Sequence, residues 1–176
     1  MDSTLRGWAL AHQGQAQEGI EQITQGLRAH RAIGAEEGLP CFLSLLAEAY
    51  GTLGEPEAGL TALTEALTLV DITGERVWEP ELYRLKGELL LAQSPDNHTE
   101  TETCFQLAIR IAQSQQAKSW ELRSATSLAR LWQSQGKRRE AYDLLAPVYT
   151  WFTEGFDTAD LRDAKALLEE LTEGRV

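Results

Sequence analysis

The stretch GERVWEPELYRLKGELLLAQ, Gly74 to Gln93, carries seven charged side chains and a tryptophan beside an apolar stripe of Leu82, Leu85, Leu89 and Leu90. Glu81, Arg84 and Glu88 stand three and four residues apart, so a helix would place them on one face. Two chemistries fit that spacing. One is a set of intrahelical ion pairs, each stabilising by roughly 0.2–0.5 kcal/mol. The other is an arginine held between two carboxylates and presented to a ligand. Under the second reading, replacing Arg84 with alanine would weaken binding and leave the melting temperature almost unchanged.

Catalysis requires convergent groups, a nucleophile with its base and a stabiliser within reach. The three histidines, His12, His30 and His98, fall in separate segments, and the two cysteines, Cys41 and Cys104, are far apart. That cysteine pattern is neither a disulfide framework nor a metal-ligand spacing and fits reduced thiols in a cytoplasmic protein. There is no HExxH, GxSxG, CxxC or glycine-rich phosphate cradle. The expectation is no enzyme, with no catalytic residue, no metal site and no cofactor.

The net charge of −11 repels phosphate backbones, so direct nucleic-acid binding is not expected. The one basic cluster, Lys137-Arg138-Arg139, follows Gly136 and reads as a solvated loop and helix start. No run of about 18 apolar residues would span a membrane. The opening MDSTLRGWALAHQGQ has no basic segment followed by an apolar core, so it is not a secretory signal.

The elements that position these residues read as helices throughout. No segment alternates apolar and polar residues for long, and β-branched residues are sparse. Pro40, Pro56 and Pro80 each precede an amphipathic run, where a missing N–H leaves no helical bond unmade. Self-similarity then appears at a period of about forty residues. Small residues recur at Gly7, Ala47, Gly87 and Ala129, each followed one turn later by a large one at Leu10, Tyr50, Leu90 and Trp132. Gly14, Gly54 and Gly136 close three of these four helices. In the second helix of each pair, Ile23, Leu63, Phe105 and Leu145 precede Gly26, Ala66, Ala108 and Val148. Two extra residues fall in AQSPDNHTE, whose turn formers lengthen a loop and leave the packing frame intact. Small positions let helices approach closely, large ones fill the gap, and each fully buried Leu or Phe contributes roughly 1.5–3 kcal/mol.

One domain over residues 1–176 is expected, with helix pairs at about 3–34, 40–73, 79–114 and 117–153 and a last helix at 158–172. In that last helix Thr158 or Asp157 caps the N-terminus, and Leu161, Ala164, Leu167, Leu168 and Leu171 share one face. Asp160, Asp163, Lys165, Glu169 and Glu170 make its other side polar, as the end of a solenoid requires. At the opposite end Thr4, Trp8 and Ala11 have no preceding helix to cover them. The expectations there are a fragment of a longer array and a homodimer contact through that edge.

The order of small residue, aromatic or leucine, helix-ending glycine, then glycine or alanine, a bulky residue and Ala-Leu resembles the tetratricopeptide repeat. Ala47, Tyr50, Gly54, Gly59, Leu63, Ala66 and Leu67 carry it best. The period exceeds the usual 34 residues, which lengthens the helices and the links between pairs. The resemblance implies an all-α, right-handed tetratricopeptide-like solenoid of four antiparallel helix pairs plus a capping helix.

GERVWEPELYRLKGELLL and WFTEGFDTADLRDAKALLEEL further resemble the C-terminal region of bacterial multidomain signalling proteins. Those proteins join an adenylate/guanylate cyclase domain, a P-loop ATPase module and tetratricopeptide-like repeats. No GxxxxGK[ST] and no cyclase carboxylate pattern is present, so no enzymatic residue of that family carries over. What the likeness implies is a cytoplasmic regulatory or protein-interaction scaffold. Its partner would be a protein or peptide, including other domains of the same chain.

In tetratricopeptide arrays the first helices line a concave groove. That register assigns Thr4, Trp8, His12, Ser44, Glu48, Arg84, Glu88, Thr126 and Arg130 to the groove, with a mixed charge that suits a polar or basic peptide. The Lys and Asn of a terminal-carboxylate clamp are not at these places. A second reading is small-molecule sensing in a concave pocket framed by Trp8 and Arg84. A closed, partly apolar cavity of roughly 300–1,000 Å³ would favour that reading. Trp78, next to Pro80, reads as a packing anchor at the start of its helix.

Overall fold

The computed structural model describes residues 3–173. Within them lie nine α-helices and no strand: α1 (Ser3–His12), α2 (Ala16–Ala32), α3 (Leu39–Leu53), α4 (Pro56–Thr73), α5 (Glu79–Gln93), α6 (His98–Ser114), α7 (Lys118–Ser134), α8 (Arg138–Thr150) and α9 (Ala159–Thr172). Pro40, Pro56 and Pro80 occupy the first or second helical position of α3, α4 and α5. Gly54 ends α3 at φ +82°, a conformation an L side chain adopts only under strain, and Gly14 and Gly136 turn the chain the same way. The fourth turn differs because no glycine is present. Ser94 is extended there, and the Asn97 side chain donates to the Leu90 carbonyl at 2.9 Å to close α5.

The helices stack in antiparallel pairs, α1 with α2, α3 with α4, α5 with α6 and α7 with α8, while α9 packs on α7 and α8. The first helices form a layer of their own: α1 touches α3, α3 touches α5, α5 touches α7 and α7 touches α9. Among the described residues no two of α2, α4, α6 and α8 approach as closely. The layer whose helices crowd together is the inner, concave side of the solenoid, and the spread layer is the outer side.

The small-large frame explains the packing. Ile23, Leu63, Phe105 and Leu145 are at most 2% exposed and fill the seams inside each pair. A Cβ at Gly87 would lie 2.5 Å from the Phe105 ring, and a Cβ at Gly7 would lie 2.5 Å from the Gly19 carbonyl oxygen. Only glycine permits both approaches. Leu10, Tyr50 and Trp132 are half-buried, so they line the seams without filling them.

Two expectations differ from the structure. Thr4 and Ala11 are 1% and 2% exposed, because α2 covers them through Gly26 and Gly19. The described N-terminal edge therefore exposes one large apolar side chain of α1, Leu5, and not an apolar face. Thr158 is the N-cap residue of α9, but its hydroxyl donates to the Gly155 carbonyl at 2.8 Å and caps no helical N–H. Asp160 and Asp163 stay accessible to solvent, 47% and 63% of each side chain, and from that polar side both also reach arginines of α7.

Candidate functional site

Successive inner helices bring residues of each repeat to the concave face, and the side chains there form two polar groups. The first joins α1 to α3. Trp8 Nε1 donates to Glu48 Oε2 at 2.6 Å, His12 Nε2 lies 3.6 Å from the same oxygen, and the His12 ring meets the Trp8 ring edge-on with centroids 4.4 Å apart. Two of the assigned groove residues, Trp8 and His12, thus converge on the carboxylate of a third, Glu48. Thr4 and Ser44 do not take part: Thr4 faces α2, and the Ser44 hydroxyl is buried and donates to its own helix at the Cys41 carbonyl, 2.6 Å away.

The second group joins α5, α7 and α9. Arg84 is 6% exposed and Glu81 5%. The guanidinium donates from Nε and Nη2 to the two Glu81 oxygens, and from Nη1 to Glu88 and, at 3.4 Å, to Ser127 Oγ. Ser127 in turn donates to Glu88 at 3.0 Å. Arg123 reaches Glu81 at 3.1 Å and Asp160 at 3.7 Å, and its guanidinium lies over the Trp120 ring. Arg130, on the exposed rim, stands 3.5 Å from Asp163. The Thr126 hydroxyl is buried and donates to Leu122 of its own helix. Burial disfavours the Arg84 charge, but hydrogen bonding and charge from Glu81, then the charges of Glu88 and Glu48, outweigh it and hold the guanidinium pKa above its ordinary value.

Of the two chemistries that fit the Glu81, Arg84 and Glu88 spacing, this geometry forms the ion pairs. Arg84 is a buried strut between two repeats, with its donors engaged by Glu81, Glu88 and Ser127. Trp8 is likewise engaged, by Glu48. Glu81, Arg123, Ser127, Asp160 and Asp163 complete the group, and the period itself was the signal for them. Arg123 stands one repeat after Glu81, and Asp163 sits in the Leu161–Ala164 echo of Leu122–Ala125. Trp78 is half-buried and stacks edge-on with Trp120, its counterpart one repeat later, at 5.5 Å between centroids.

Between the two groups lies a cleft of about 320 Å³. Leu85, Leu89 and Ala92 form its apolar floor, and Glu48, Glu88 and His12 stand at its rim. Glu48 and Glu88 each engage the protein through one oxygen, and their side chains are 23% and 44% exposed. A smaller hollow of about 90 Å³ lies among Arg84, Arg123, Arg130, Asp160 and Asp163. Among the described residues of these two groups, Glu48, Glu81, Glu88, Asp160 and Asp163 outnumber Arg84, Arg123 and Arg130, so negative charge is in excess there. Among the described residues no group of three or more His, Cys, Asp or Glu is placed to hold a metal ion, and no helix is long and apolar enough to cross a membrane.

No family profile and no curated protein matches the sequence. Solved structures do. A kinesin light chain-like protein of nearly identical TPR-like repeats from Podosopora anserina superposes with a TM-score of 0.69 at 18% identity, over 97% of this chain and 84% of that one. A one-residue variant of that protein gives 0.70 at the same identity and coverage. At this identity the likeness establishes the fold: the chain is a tetratricopeptide-like helical solenoid, the architecture that the repeated small and large positions imply.

Proposed function

We propose that the chain is a non-enzymatic protein-interaction scaffold whose concave face takes a basic, extended segment of a partner protein or of another domain of its own chain. The observation that carries this reading is the cleft between Glu48 and Glu88. Its apolar floor suits the aliphatic stem of a lysine or arginine, and its rim carries carboxylate oxygens for the charged head. The excess of carboxylates along the face adds long-range attraction for such a segment. The resemblance of Gly74–Leu91 and Trp151–Leu171 to bacterial cyclase–ATPase proteins supports a wider setting, the regulatory C-terminal part of a cytoplasmic signalling protein.

Titration with lysine-rich and glutamate-rich peptides of equal length, followed by tryptophan emission, tests the reading, since Trp8 donates to Glu48. The lysine-rich peptide should bind, and Glu48→Gln with Glu88→Gln should weaken it about tenfold, the effect of roughly 1.4 kcal/mol. Equal binding of both peptides, or no effect of the paired substitution, would sink the proposal. A small-molecule reading draws on the same 320 Å³ cleft, which lies at the lower end of ligand-pocket volumes. It would displace the peptide reading if a compound lacking any peptide character protected Leu85 and Leu89 from hydrogen exchange while lysine-rich peptides did not.

A further inference from the structure

The links that join each outer helix to the next inner helix form a second surface, distinct from the concave face. Six large hydrophobic side chains are exposed among the described residues, and five of them, Ile33, Ile72, Val77, Trp151 and Phe156, fall at these links or in the adjoining last turn of an outer helix. Scattered exposed apolar residues are ordinary, but confinement to one edge marks an interaction surface. The links are also fastened to one another. The Gly38 N–H donates to Glu75 at 2.9 Å, joining the first link to the second, and the Gln115 side chain donates to the Arg76 carbonyl at 2.7 Å, joining the second to the third. The edge is thus a continuous strip and not a row of separate loops.

Its chemistry is specific at the first two links. A hollow of about 770 Å³ opens between residues 34–37 and 73–75, and Glu36, Glu37 and Glu75 line it. Among the described residues none of these three carboxylates forms an ion pair. The nearby cations are engaged elsewhere, Arg31 by Glu65 and Arg76 by Glu79 and Asp71. Ile33 and Ile72 immediately precede the two walls of the hollow, and Val77 lines the adjoining hollow of about 420 Å³, which shares Gly74 with the first. Three uncompensated carboxylates beside exposed aliphatic side chains are the complement of a segment that alternates basic and apolar groups.

From this we infer that the link edge is a second docking surface, and that its occupant is a basic amphipathic segment of a partner protein, with apolar side chains against Ile33, Ile72 and Val77 and cations at Glu36, Glu37 and Glu75. Nucleic acid and anionic lipid surfaces are repelled by the same carboxylates. A second copy of this chain, at net charge −11, is repelled as well.

The experiment is backbone amide shift mapping of the isotopically labelled chain, titrated with a synthetic amphipathic peptide of lysine and leucine. A peptide with glutamate in place of lysine serves as control. The lysine peptide should shift amides in residues 33–38 and 72–77, and the glutamate peptide should not. Glu36→Gln with Glu37→Gln, and separately Ile72→Ser, should each weaken that site about tenfold, as expected for losing two exposed charges or one apolar anchor. All three residues are exposed, so the fold should be unaffected. Shifts confined to Glu48, Glu88 and their neighbours would overturn this inference while sustaining the concave-face reading. No shifts anywhere would overturn both. Self-association in light scattering that Ile72→Ser abolishes would make the occupant a second copy, and overturn the assignment to a basic partner.

Discussion

Arg84 and Glu81 form a two-pronged ion pair, Nε to Oε2 at 2.7 Å and Nη2 to Oε1 at 2.8 Å, with both side chains almost wholly removed from solvent. Intrahelical pairs three residues apart usually lie in water and contribute little. Here the inner helices α3, α5 and α7 crowd together, so the pair is held largely out of water, with Glu88 and Arg123 as its further partners.

Arg84→Ala should therefore destabilise the protein by about 3–5 kcal/mol, because it leaves Glu81 buried with only Arg123 to compensate it. The double replacement Arg84→Met with Glu81→Leu should recover most of that loss, since an apolar pair of similar volume needs no charge compensation. Urea denaturation of the three proteins checks this. A change in midpoint within error for Arg84→Ala would mean that the inner layer is wetter than this geometry implies. The raised Arg84 pKa adds a sign: its stabilising contribution is intact below the unfolded value and fades only as pH rises through the still higher folded value. No titration of this arginine should be seen across the neutral range.

Gly87 and Phe105 test the packing frame. Alanine is favoured over glycine within a helix by about 1 kcal/mol. A Cβ at Gly87 nevertheless meets the Phe105 ring at 2.5 Å. Gly87→Ala should reverse the usual gain and cost about 1–3 kcal/mol through overpacking. Combining it with Phe105→Leu should give a coupling energy of opposite sign, because the smaller side chain leaves room for the methyl group. Additive effects in the double-mutant cycle would mean that the two positions do not share a seam.

Most of the fold was legible because its determinants repeat. Small and large residues return every forty residues or so, and the structure places Ile23, Leu63, Phe105 and Leu145 in equivalent buried seams. The concave face was only partly legible. Trp8, His12 and Glu48 converge as the register implies, but Thr4, Ser44, Arg84 and Thr126 are buried. Register fixes which side of a helix a residue occupies. It does not fix how deep that side lies, which depends on the distance between neighbouring inner helices. The polar side of α9 is accessible to solvent as its pattern implies, and because α9 packs against α7, Asp160 and Asp163 also reach two arginines, which the pattern alone does not show.

The two thiols should differ in reactivity. Burial, partly offset by Lys86 and reinforced by Glu100, pushes the Cys104 pKa up, whereas Cys41 is only half-buried. Iodoacetamide at mildly alkaline pH should modify Cys41 first, read by peptide mass spectrometry, because the thiolate is the reacting form. The sign for stability follows. The Cys104 contribution is complete below the unfolded thiol's value and is lost as pH rises through the folded one. Cys104→Ala should therefore flatten the alkaline fall in stability. Equal labelling rates would contradict the burial of Cys104.

Gln116 is the one non-glycine residue with positive φ among those described, at +55° in the link between α6 and α7. The left-handed conformation costs an L side chain roughly 1–2 kcal/mol, and glycine adopts it freely. Against that gain stands the greater flexibility of glycine in the unfolded chain, which offsets about half of it. Gln116→Gly should therefore raise stability by up to about 1 kcal/mol, whereas Gly136→Ala, at φ +77° in the next turn with open space around its Cα, should lower it by a similar amount. Because neither position packs against a neighbouring seam, the two shifts should add in the double mutant. A Gln116→Gly protein that melts earlier than its parent would show that the Gln116 side chain makes a contact worth more than the strain it carries.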